Sequence, residues 1–193
     1  DYVNLQSGGC GGDGHGHGTG VAGIVAASWE GTGVVGMAPD ATLYSVRACD
    51  GNGDCTQAAF TSAVNRADAN GMDVINISAG SCDTLATALK SAVATAISHG
   101  LTVVVSAGNF DGACAGALNG FAHLSGVIAV GAVDSTLTFI SGYSSGSDVD
   151  IAAPSFVVTD TIGGGTRVLD GTSAAAPHVS GAVALLLSAG YTS

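Results

Sequence analysis

The sequence predicts an α/β fold built on a mainly parallel β-sheet flanked by helices. Three observations carry that prediction. Short apolar or β-branched runs recur along the chain, stretches with helical spacing separate them, and glycine closes each such stretch. Thr42 to Val46 is the first run and Val74 to Ile77 the second; strands buried on both faces of a parallel sheet read as continuous apolar segments. Between them Phe60, Ala63, Val64 and Ala67 repeat at helical spacing. Thr56 suits the N-cap of that helix and Gly71 its C-terminal stop. Leu85, Leu89, Ala92, Val93, Ala96 and Ile97 form a second helical stripe ending at Gly100, after which Leu101 to Val105 and Val127 to Val133 read as strands. Gly112 to Gly126 has no period. Ser135 to Gly171 shows only short β-like pieces, expected as loops or an irregular sheet edge. Ser173 to Ser188 is expected as a buried helix, with Pro177 tolerated only in its first turns. Alternating strands and helices imply parallel strands joined by right-handed crossovers.

A chain of 193 residues, 47% hydrophobic, is long enough for one sizeable core, and one domain is expected. Only 10% of residues are charged and 31 are glycine, so Ser, Thr, Asn, Gly and Ala must cover much of the surface. A net charge of −11 opposes nucleic acid and anionic membrane surfaces, and neither is expected as a partner. The longest apolar runs, such as Ala182 to Leu187, fall far short of the roughly 20 residues that span a bilayer. Asp1 is read as an internal residue of a longer precursor, because no initiating Met, basic leader or signal-type segment precedes it.

Five cysteines, Cys10, Cys49, Cys55, Cys82 and Cys114, follow no metal-ligand spacing. Disulfides fit better. Cys49 and Cys55 flank the turn-like Asp50-Gly51-Asn52-Gly53-Asp54, and Cys82 with Cys114 is a second possible pair. Cys10 is left over, as a free thiol or paired beyond this sequence. A secreted or extracellular location is expected, and a monomer.

Two glycine-rich segments open helices: Gly16-His17-Gly18-Thr19-Gly20-Val21-Ala22-Gly23 and Gly171-Thr172-Ser173-Ala174-Ala175-Ala176-Pro177-His178-Val179-Ser180-Gly181. A side chain at a helix start stands on a rigid scaffold, and the unpaired N–H groups there favour developing negative charge. Ser173 in that position suits a nucleophile. It also needs a base, because a serine hydroxyl attacks only when its proton is accepted.

These segments resemble the signatures of the subtilase family, HGTHVAG and GTSMAAPHVAG, and His17 and Ser173 stand at the family's interval. Val105-Ser106-Ala107-Gly108-Asn109 resembles the family's AAGN segment. The likeness continues through Gly33 to Pro39, Met72 to Ser78, Val127 to Val133 and Asp150 to Pro154, nearly the whole chain. The resemblance implies a three-layer peptidase domain lacking its N-terminal part and its C-terminal end. It implies a serine endopeptidase acting on extended peptides or proteins through an acyl-enzyme. His17 would be the base, Ser173 the nucleophile and Asn109 the oxyanion donor. Ser78, Ala79 and Gly80 would pair with substrate backbone as an added strand. Ser106, Ala107 and Gly108 would line one wall of the primary specificity pocket.

Several positions depart from the family. Gly20 replaces a second His, Ala174 a Met and Ala79 a common Leu, while Gly120 to Ser125 lacks the usual Pro-containing turn. The family's catalytic Asp precedes the His by roughly 32 residues, more than this chain holds before His17. Only Asp1 and Asp13 lie upstream, and Asp13 is too close in the same loop, so the chain alone is expected to be nearly inactive. The rival is a degenerate subtilase that grips peptides without cutting them.

Other motifs are weaker. Gly18-x-Gly20-x-x-Gly23 fits a dinucleotide fingerprint but follows no apolar strand. Gly142-x-Ser144-x-Gly146 fits a nucleophile elbow but precedes no helix. His15 and His17 lack a third metal ligand, and no catalytic metal or other cofactor is expected. Structural calcium is a family expectation, with Glu30, Asp50 and Asp54 as candidate ligands by chemistry only. His178 reads as a packed helix residue, His99 and His123 as structural or exposed, and Asn76-Ile77-Ser78 as a poorly placed glycosylation sequon.

Overall fold

A computed structural model describes residues 2–4, 12–80, 84–109 and 118–192. Four strands form the central sheet in the order β3 (Val74–Ile77), β4 (Thr102–Ser106), β5 (Ile128–Val133) and β6 (Ile151–Pro154). All are parallel, with Val74 opposite Thr102, Val104 opposite Ile128 and Val130 opposite Ile151. Two smaller sheets accompany it. β1 (Tyr2–Asn4) runs parallel to β2 (Leu43–Ser45), and β7 (Val157–Asp160) forms an antiparallel hairpin with β8 (Thr166–Leu169).

Strand alternation explains the layers. Val103 and Val105 of β4 face a core shared with Val64 of α2 (Gln57–Ala69) and Leu89, Val93 and Ala96 of α3 (Thr87–Ser98). Val104, between them, faces the opposite side with Val130, Ala132 and Ala153, where Ala175, Ala176 and Val179 of α4 (Thr172–Ser188) pack. The sheet is therefore covered on both faces, and its strands read as continuous apolar runs. Behind α4 lies α1 (His17–Ala26), whose Ile24 meets Leu169 and Ala174.

Helix ends follow local chemistry. The Thr56 hydroxyl accepts from Ala59 N at 3.1 Å, capping α2 as its sequence predicts. At the other end Gly71 has φ 64°, and Met72 N and Gly71 N donate back to Ala67 O and Asp68 O. Gly100 closes α3 in the same way, with Leu101 N on Ala96 O and Gly100 N on Ile97 O. These paired bonds satisfy carbonyls that a helix otherwise leaves open.

Two expectations need correction. The second helix starts at Thr87, so Leu85 is a buried lead-in residue rather than part of it. Ser135 to Gly171 is more ordered than its composition suggests, because it contains β6, which extends the main sheet, and the β7–β8 hairpin. Pro177 is the sixth residue of α4, within its first two turns as expected, and is fully buried.

Candidate active site

His17 opens α1. Gly16 precedes it with φ 90° and supplies no side-chain cap, so another group must meet the first N–H donors. Asp13 does so. One carboxylate oxygen accepts from His15 N and Gly16 N at 3.1 and 2.8 Å, the other from Thr19 N and Thr19 Oγ1 at 2.7 and 2.9 Å. Burial opposes ionisation of Asp13, but these bonds outweigh it and hold its pKa at about 2. Asp13 is therefore committed to the helix start, with both oxygens occupied.

The His17 ring is half-buried and lies 6.3 Å, centroid to centroid, from the exposed ring of His15. Its pKa is lowered chiefly by burial, then by the nearby positive charges of His15 and Arg167, with Asp13 pulling weakly the other way. A histidine so placed is neutral near pH 7 and able to accept a proton. Among the described residues the His17 side chain makes no hydrogen bond.

Ser173 is the second residue of α4. Gly171 before it has φ 84°, and a Cβ there would stand 2.7 Å from Asn109 Nδ2, so glycine is required on two grounds. Asn109 Oδ1 accepts from both Thr172 N and Thr172 Oγ1 at 3.0 Å, and Gly108 N donates to the same hydroxyl at 3.0 Å. Gly171 N donates to Ser155 Oγ, and Ala174 N to Gly171 O. The Ser173 N–H and Asn109 Nδ2 are left as donors without acceptors among the described residues, at the N-terminal, anion-favouring end of the helix. The Ser173 hydroxyl itself donates to Ser78 O at 3.1 Å.

Ser78 follows β3 and Asn109 follows β4, so both lie at the carboxyl edge of the sheet, where open α/β sheets carry their sites. Ser78 and Ser106 are buried, Ala79 and Gly108 are half-buried, and Gly80 is exposed. Between the two segments stands Asn119, which the sequence reading missed. Its Nδ2 donates to Ala79 O at 2.9 Å and Ser106 O at 3.0 Å, and its backbone N to Ala107 O at 2.7 Å. Its Oδ1 accepts from Phe121 N and so caps the short 3-10 turn Gly120–His123. A Cβ on Gly80 would overlap the Asn119 amide. Beside Gly80 opens a cavity of about 300 Å³, lined by Gly53, Cys55, Gln57, Phe60, Leu89 and Phe121 among others.

The remaining groups fall away from this site. His178 Nδ1 is 2.9 Å from Ala174 O, a bond within its own helix. His99 pairs with Asp68 and His123 with Asp148, both at 2.8 Å and both with exposed rings. Asn76 bonds Ser78 Oγ and Ser180 Oγ from a half-buried strand, a poor glycan acceptor. Ser144 is buried between turns with no helix after it, so it is no nucleophile elbow. Gly20 and Gly23 let α1 approach β7, where Thr159 Oγ1 donates to Gly20 O at 2.7 Å. A second histidine at position 20 would meet Thr159.

Asp50 spends a carboxylate oxygen on Asn52 N and Asp54 N, and no group of three His, Cys, Asp or Glu among the described residues is arranged for a metal. The Cys49–Cys55 disulfide is present; Cys10, Cys82 and Cys114 lie outside the described residues. No helix among the described residues is long and apolar enough to cross a membrane.

Residues 10–192 match the family model described as the subtilase family. Subtilisin DY of Bacillus licheniformis is 44% identical over 178 residues, covering 91% of this chain and 65% of its own length. Subtilisin E of Bacillus subtilis (strain 168) is 43% identical over 178 residues, covering 91% of this chain and 46% of its own. The chain therefore spans about half to two thirds of these relatives. A crystal structure of a cold adapted subtilisin-like serine proteinase superposes with a TM-score of 0.83 at 30% identity, over 97% of this chain and 68% of that one. Sequence and fold lead to one assignment: the chain belongs to the subtilase family.

Proposed function

We propose that the full-length protein is a serine endopeptidase that cleaves peptide or protein substrates through an acyl-enzyme. The observation that carries this reading is that Asn109 is bonded through Oδ1 to Thr172 N, next to Ser173 at the start of α4, while Asn109 Nδ2 and the Ser173 N–H have no acceptor among the described residues. Such a pair suits the oxyanion of a tetrahedral intermediate. An extended peptide lies between Ser78–Gly80 and Ser106–Gly108, bonded through backbone. The Ser173 hydroxyl leaves Ser78 O, gives its proton to the neutral His17 ring and attacks the scissile carbonyl. His17 returns the proton to the departing amine, and water repeats the cycle on the acyl-enzyme.

The third triad member is proposed to come from a segment outside this sequence. Asp13 is unsuited, since its oxygens serve His15, Gly16 and Thr19. In subtilisin, a relative, loss of the Asp alone lowers kcat by about 3 × 10⁴, so the 193-residue chain by itself is read as nearly inactive. The Cys49–Cys55 disulfide supports a secreted protein.

A non-catalytic peptide binder is the second reading, favoured by the Ser173 hydroxyl resting on Ser78 O rather than on His17. Exposure of the full-length protein to a small fluorophosphonate separates the two. The peptidase reading expects Ser173 to be labelled and Ser173→Ala to be inert. A protein that binds peptide while Ser173 stays unlabelled is the binder.

A further inference from the structure

Cys49 and Cys55 form a disulfide at a sequence separation of 6 and also pair as an isolated antiparallel bridge. The turn between them is otherwise tied by exposed bonds, from Asn52 N and Asp54 N to Asp50 Oδ1, from Asp50 N to Asp54 O, from Gly53 N to Asp50 O and from Arg47 Nε to Cys49 O. Exposed hydrogen bonds compete with water and hold a loop weakly. The loop has two neighbours. On one side Gly53, Asp54 and Cys55 line the cavity beside Gly80. On the other, a Cβ at Gly53 would stand 3.2 Å from His15 Nε2, two residues before His17. Cys55 is exposed and Cys49 half-buried, so a dissolved thiol can reach the bond.

We propose that the Cys49–Cys55 disulfide is a redox-responsive clamp on the peptide groove, a reading that rests on the peptidase assignment above. Closed, it fixes the outer wall of the cavity against which a side chain remote from the scissile bond packs. Opened, the loop loosens and long peptides are gripped less well. The opening step needs a dithiol. One thiolate attacks a loop sulfur, the S–S bond breaks, and the second thiol resolves the mixed disulfide. Two electrons and two protons pass to Cys49 and Cys55, which end as thiols, and the dithiol ends as a disulfide. The start of the following helix does not depend on the bond, since Thr56 caps α2 on its own. Activity on long peptides thereby becomes conditional on oxidising surroundings.

The test uses the full-length protein, oxidised and after equilibration with dithiothreitol, beside the Cys49→Ser/Cys55→Ser double variant. Three quantities are read: kcat/KM for a four-residue peptide anilide with Phe outermost, kcat/KM for its one-residue counterpart, and Ser173 labelling by a small fluorophosphonate. Alkylation and mass spectrometry confirm that both thiols are free. Reduction is expected to lower the long-substrate value about tenfold, mostly through KM, with the other two readings within about twofold. The double variant should match the reduced protein and ignore the reductant. An unchanged long-substrate value with both thiols free overturns the clamp, as does a double variant that still responds fully, which would place the effect on another cysteine. Absence of labelling in the oxidised protein sinks the peptidase reading and the clamp with it, whereas normal labelling with equal long and short responses sinks the clamp alone.

Discussion

Replacing Asp13 with alanine removes four hydrogen bonds from the start of α1, those accepted from His15 N, Gly16 N, Thr19 N and Thr19 Oγ1. Losing a helix cap costs about 0.5–2 kcal/mol, and the missing charge at the positive end of the helix adds to it. The titration gives a second route to the magnitude. A carboxyl held at about 2 against an ordinary 3.8 would carry roughly 2 kcal/mol if fully buried; this one is partly open to water, which discounts the figure to about 1 kcal/mol. Asp13→Ala should therefore lower unfolding stability by about 1–2 kcal/mol, and Asp13→Asn, which keeps an acceptor but no charge, by about half that. Because the folded pKa lies below the unfolded one, the charge contributes fully above the unfolded value and is lost as pH falls through the folded one. The gap between the parent and Asp13→Asn should thus narrow between pH 4 and pH 2. Urea unfolding of the full-length protein at several pH values, at constant m, measures it. A difference under about 0.3 kcal/mol at pH 7, or a gap that does not shrink in acid, would refute the capping argument.

Two further outcomes follow from the site. Asn109→Ala should lower kcat by about 10²–10³ with KM little changed, and should also lower the unfolding midpoint, because Thr172 N and its hydroxyl lose their acceptor; an unaltered kcat removes Asn109 from the chemistry. His17 is held below the ordinary histidine pKa by burial first and by His15 and Arg167 next, so the acid limb of kcat/KM should move with the charges around that ring. Arg167→Gln removes a positive charge and should move that limb to higher pH, while a limb that stays put or falls would contradict the electrostatic account. The same depressed pKa contributes stability above the unfolded value, lost as pH falls through the folded one.

The parts of the fold legible in the sequence were those where one physical demand acted on consecutive residues. Val103 to Val105 and Val127 to Val133 lie in the two central strands and are largely buried, and their unbroken apolar character reports it. Gly71 and Gly100 end helices because their positive φ suits glycine. β6 and the β7–β8 hairpin read only as short β-like pieces, because segments such as Ile151-Ala152-Ala153-Pro154 are brief and stand among Ser, Gly and Asp. At the site, His17, Ser173 and Asn109 were visible because each lies in a motif. Asn119 was not, since it sits in the patternless stretch Gly112 to Gly126 and works through carbonyls remote in sequence. Asp13 was weighed only as a catalytic group; its role at the helix start depends on the left-handed turn at Gly16, which a run of glycines does not specify.

The reach of Asn119 has a consequence for how the proposed peptide groove can change. One buried amide ties the Ala79 carbonyl of one wall to the Ser106 carbonyl of the other, and its backbone holds Ala107. The walls therefore cannot drift apart independently. Substitutions on either side will be non-additive through this shared partner, and an engineered or evolving change of selectivity must pass through residue 119 or first replace what it holds together. The glycine at position 80 narrows the route further, because any side chain there must displace the same amide. Variation in this protein is then expected to concentrate at the outer cavity, where Gln57 and Phe60 can be exchanged without cutting that tie.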